Sequence, residues 1–183
     1  MSRLLFAAFA TTALCALPAY AVEKEAVLTT YADIAAAKYD DSLIAAKSLQ
    51  DTIEAFLAAP SDTTLKAARA AWREARVPYM QTEVYRFGNP MVDDWEGRVN
   101  AWPLDEGLID YVDATYGGAT DENAFAALNV IANPSFTLSG QTVDASRITP
   151  ALLADTLQEA DGVEANVATG YHAIAFLLWG QDL

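Results

Sequence analysis

Thiols are almost missing from this chain: Cys15 is its one cysteine, and His172 is its one histidine. Cations are scarce too, with 11 Lys+Arg against 25 Asp+Glu and a net charge of −14. Each shortage removes a class of function. Without clustered cysteines there is no disulfide scaffold, no thiolate zinc site and no iron–sulfur cluster. With a single His there is no His-Glu-x-x-His zinc protease motif. With so few bases, phosphate backbones find no counter-charge, so nucleic acid is excluded as a partner. The acidic balance favours cations or basic partners. The one long apolar run, Leu4 to Leu17, is too short to cross a bilayer. It follows Arg3 and precedes Ala19-Tyr20-Ala21, so residues 1–21 read as a secretory signal peptide. Cleavage there would remove Cys15 and Arg3 but no acid, and the protein is expected to be exported to the periplasm or cell envelope.

Alanine is abundant, and Gly and Pro gather between apolar stretches, which predicts an all-α fold with an irregular middle segment. Leu28, Ala32, Ala35, Tyr39, Leu43, Ala46, Leu49, Ile53 and Phe56 form one stripe, predicting a rod from Glu23 to Ala59 that buries it against other helices. Pro60 ends the rod. Ser61 or Asp62 caps a second helix, which Pro78 bends or splits. Residues 88–102 read as irregular. Pro103 opens a short helix that stops before Gly117-Gly118, and another covers Glu122 to Ala132. Phe136 to Val143 fits a small hairpin, and helices over 150–160 and 163–179 close the chain.

Four blocks carry a resemblance: Ala71–Tyr79, Thr82–Gly88, Asn100–Tyr111 and Gly170–Asp182. The last contains Gly170-Tyr171-His172-Ala173-Ile174-Ala175. Together, in this order, they resemble the imelysin-like proteins, a family that includes the iron-regulated protein A type and an insulin-cleaving membrane peptidase. The family motif is Gly-x-His-x-x-Glu, and Ala175 stands where its Glu belongs. The resemblance implies a bundle of long and short helices and a role in iron uptake, through a metal or a metal-linked partner. It also implies that residues 22–183 correspond to the N-terminal half of a two-half protein. The alternatives are a metallopeptidase and a degenerate module that binds no metal.

The motif makes physical sense on a helix, where positions i and i+3 share a face and can both reach one cation. Imidazole suits iron or zinc, with iron expected here. One His is a poor site alone, so Glu83 and Asp105 are the candidate carboxylates from neighbouring segments, and Arg76, Trp102 and Asp110 the residues that support the cleft. Each has a plainer reading. His172 could be a hydrogen-bonded core histidine. Glu83 could pair with Arg86 or Arg76. Glu106, Asp110 and Asp113 share a face if helical, as a cation site or merely a solvated surface. Trp72, Trp95, Trp102 and Trp179 are expected mainly in the core. Arg73 and Arg76 could take an anionic chelate, with pairing to acids as the default. An apolar face left without its partner half predicts a homodimer or poor solubility, and membrane association or a separately supplied second half are the other partner expectations.

Overall fold

The computed structural model describes residues 22–181, so the signal-peptide expectation lies outside the described residues. Its order is α1 (Lys24–Ala58), α2 (Asp62–Met80), α3 (Pro90–Val99), a hairpin of β1 (Ser135–Leu138) and β2 (Gln141–Asp144), then α4 (Gly170–Trp179). Short helical turns lie between, including a π-helical stretch at Leu152–Leu157. The fold is mainly helical with one small antiparallel sheet, as the sequence pattern predicts. No described helix is long and apolar enough to cross a membrane.

The first two helices follow local chemistry. Pro60 separates them, and Ser61 starts α2 with a reciprocal capping box. Its Oγ accepts from Thr64 N at 3.2 Å, and Thr64 Oγ1 accepts from Ser61 N at 3.0 Å. α2 passes through Pro78 and ends two residues later. α1 packs on α2 but is 35 residues long against 19. Much of the rod therefore extends past its partner, and only Ser42 and Leu49 are fully buried on it. Leu28 and Leu43, expected inside, are exposed.

Residues 88–102 are not irregular, because α3 occupies most of them. Pro90 sits in the first turn, where its missing N–H is no loss, and Asn89 O accepts from Val92 N and Asp93 N. The cluster that looked like a breaker is a helix start.

The opposite correction applies to the helices expected after Pro103 and over Glu122–Ala132. Neither forms. The carbonyls of Gly107, Leu108 and Ile109 accept from the N–H groups of Asn129, Val130 and Ile131 at 2.7, 3.0 and 3.2 Å. Backbone groups committed to that tertiary ladder cannot also close helical turns. The hairpin does form, with Phe136 opposite Val143. Beneath it Leu108, Phe125, Val130, Leu152 and Leu157 make one core. A second core joins Leu49, Ala71, Ala75, Tyr79 and Tyr171 where α1, α2 and α4 meet. The third, Leu104, Ile109, Val167, Ala173 and Phe176, seats α4 on the irregular segment.

The region expected as helix 150–160 is mostly the π-helical stretch, closed by Gln158 N donating to Leu153 O. The last helix begins at Gly170 rather than 163.

Candidate functional site

α4 brings the motif to the seam between α2 and α3. Gly170 begins it with φ +85°, and a Cβ there would collide with the carbonyl of Val99. The helix thus starts against the end of α3, an approach that a side chain forbids. Gln158 fixes the junction. Its Oε1 accepts from Ala168 N at 2.9 Å and from Thr169 N at 3.2 Å, while its Nε2 donates to Gly97 O at 3.0 Å. Thr169 Oγ1 adds a bond to Arg98 O at 2.8 Å. No motif pointed to Gln158, because its role depends on three segments that meet only in the fold.

His172 lies one residue beyond Tyr171, half-buried under the indole of Trp102, with ring centroids 4.9 Å apart. Trp102 itself is 68% exposed, so it is a lid over the imidazole and not core. Trp95 and Trp179 are partly exposed as well. Burial pushes the His172 pKa below its ordinary value, the Arg76 guanidinium pushes it further, and Glu96 opposes them. Among the described residues no hydrogen bond is made by its ring nitrogens. The hydrogen-bonded core histidine is therefore not what the structure contains. The site holds an imidazole biased to its neutral form, with no partner for its nitrogens among the described residues.

Arg76 reaches the same seam. Its guanidinium lies over the rings of Tyr171, Tyr79 and Trp72 at 5.0, 5.2 and 5.8 Å, and it donates to Asn100 Oδ1. Asn100 Nδ2 in turn donates to Glu96 Oε1 at 3.0 Å. Tyr171 is locked from the other side, since its carbonyl accepts from Trp72 Nε1 at 2.9 Å. Burial, with Glu96 nearby, holds the Tyr79 hydroxyl protonated far above the usual phenol range.

The candidate carboxylates are distributed differently. Glu83 lies in a one-turn 3-10 helix after the end of α2, so it is out of phase with the arginines of that helix. The ion pair expected from spacing is absent among the described residues. Arg86 pairs instead with Asp93 and with Glu96. Asp105 accepts from Asn123 Nδ2, which also donates to Asn166 Oδ1 at 2.8 Å, and Asn166 Nδ2 donates to Ala160 O at 2.8 Å. That chain ties three loops together around a fully buried Asn166. Asp110 accepts from Tyr111 N at 2.7 Å and borders a small recess beside Leu177 and Gln181. Asp113 caps its own turn by accepting from Thr115 N at 2.8 Å, and those bonds hold its carboxyl below the usual range. The helix there is a single 3-10 turn that ends at Leu108, so Glu106, Asp110 and Asp113 share no helical face, and Glu106 is buried. Among the described residues no three or more His, Asp or Glu side chains come together so as to hold a metal ion. His172, Glu83 and Asp105 are not such a group. What is present is one imidazole, with Ala175 on the same face three residues on.

Beside this seam a cavity of about 640 Å³ opens between α1 and the α3–α4 junction, walled by Tyr39, Leu43, Leu49, Trp95, Tyr171 and Ile174. The Tyr39 hydroxyl is shielded from solvent without a hydrogen-bond partner. Thr82 bears on its ionisation but gives its own proton to Tyr79 O at 2.7 Å.

Comparison with known proteins gives two findings. The family model for Imelysin (Peptidase_M75) matches residues 35–183. Iron-regulated protein A of Synechococcus elongatus is 32% identical over 81 residues, which cover 44% of this chain and 20% of that protein. The chain thus matches about a fifth of that relative's length.

Proposed function

Since this chain belongs to the imelysin family, we propose that it is an exported cell-envelope protein of the iron-regulated type, serving iron uptake with His172 as its metal-facing group. The observation that carries this reading is the state of His172. A half-buried imidazole, biased to its neutral form by burial and Arg76 and without a hydrogen-bond partner among the described residues, is prepared to donate to a cation. The described residues do not complete a metal site by themselves. The remaining donors then come from outside the described residues, with the metal or from a partner. The similarity to a protein named as iron-regulated supports iron over zinc.

Titration of iron and of zinc into the purified protein, beside His172→Ala and Ala175→Glu, tests this. Expected is weak iron binding that His172→Ala abolishes and Ala175→Glu strengthens by at least about tenfold, as a second ligand on the same face should. Binding that His172→Ala leaves unchanged overturns the assignment. Chelator-sensitive proteolysis of casein would point to peptidase chemistry instead.

A further inference from the structure

We propose that Arg69, Arg73 and Arg76 form an oxyanion-binding strip along the α2–α4 seam, and that its ligand is a small polycarboxylate. The three lie at i, i+4 and i+7 on α2, so their guanidinium groups follow one helical face over roughly 10 Å. Like charges at this spacing repel one another and normally call for carboxylates. Among the described residues no carboxylate pairs with them, and both ion-pair contacts belong to Arg86.

Aromatic rings hold the three cations instead. Trp179 sits between Arg69 and Arg73, at 5.5 and 5.1 Å from their guanidinium carbons, and packs edge-on against Trp72 with ring centroids 5.4 Å apart. Arg76 lies over Tyr171, Tyr79 and Trp72. Ring faces steady a guanidinium through their quadrupole and leave its N–H edge available. Arg69 spends Nε on Leu178 O at 2.8 Å, which closes the end of α4. Arg76 spends Nη1 on Asn100 and Nη2 on Met80 Sδ at 3.3 Å, which leaves Nε and one N–H on each Nη. Arg73 is exposed and, among the described residues, makes no hydrogen bond at all.

The uncommitted fork of Arg73, flanked by the remaining N–H groups of Arg69 and Arg76, matches carboxylate and phosphate oxygens in pairs. The separation of the three arginines decides between the two. One phosphate can meet a single fork or two neighbouring forks, whereas a tricarboxylate can give each arginine its own carboxylate. Arg76 is near enough to His172 to act on its ionisation, so such an anion would also bring oxygen donors close to His172, where the described residues group no metal ligands. Its role as the carrier of a metal rests on the iron reading above, but the anion site does not.

The test is calorimetric titration of the metal-free protein at low salt with tricarballylate, with acetate and inorganic phosphate as comparison arms. Tricarballylate is expected to bind, more weakly as salt rises, and acetate to bind far less. Arg73→Gln, an exposed change whose folding is checked by its melting curve, should weaken tricarballylate at least about tenfold, with Arg73→Lys between the two. No tricarballylate binding, or equal binding by Arg73→Gln, overturns the strip. Phosphate binding as tight as tricarballylate overturns the polycarboxylate assignment. Because no metal is present, failure here is distinct from failure of iron to bind His172.

Discussion

His172 is the only imidazole in the chain, so one side chain reports on the pH range around 6 to 7. Burial and then Arg76 lower its pKa in the folded protein, while the unfolded chain keeps a value of about 6.5. The unfolded state therefore binds the proton more readily. The corresponding stability is fully present above about pH 6.5 and is lost as pH falls through that value toward the folded pKa. An NMR titration of the imidazole should give a midpoint below 6.5. Thermal melts should weaken from pH 7.5 to 5.5, and His172→Asn should flatten that decline. A midpoint at or above 6.5 would mean that Glu96 outweighs burial and Arg76.

Among the elements, α4 depends most on its first residue. Gly170 combines a positive φ with an approach to Val99 that leaves no room for a methyl group. Gly170→Ala is expected to destabilise the protein by about 2–4 kcal/mol, the sum of left-handed strain and overpacking. Denaturant unfolding measures it. A change below about 1 kcal/mol would show that the junction with α3 is soft. The glycine of the family motif thus has a structural reason independent of any ligand: it lets the helix bearing His172 start against α3. Local pattern revealed α1, α2 and the hairpin because caps, Pro60 and alternation act over a few residues. It misplaced α3, since Pro90 punctuates a helix start as readily as a loop.

Across the whole molecule, packing is uneven. The three cores lie toward the C-terminal side of α1 and beyond, while Val27, Leu28, Tyr31 and Ile34 on its first turns are exposed. A helix without tertiary burial frays. Hydrogen exchange should therefore release the amides of residues 24–36 well before those of residues 68–79 in α2, which bury Ala68, Ala71, Ala75 and Tyr79. Equal protection would show that another surface covers the start of α1 in solution.

The sequence by itself determined the helical class and the family. These rest on apolar periodicity, helix punctuation and a motif contiguous along the chain. Only the tertiary structure decided the rest. The ladder between residues 107–109 and 129–131 dissolved two helices that local pattern favoured, because long-range backbone bonds competed with local ones and won. With those helices went the shared face of Glu106, Asp110 and Asp113. The end of α2 at Met80 took Glu83 out of phase with its arginines. Trp72 and Tyr79 meet Arg76 at helical spacing within α2, but Trp102 over His172 and Tyr171 under Arg76 come from segments about 70 to 100 residues apart, a meeting that no spacing along the chain encodes.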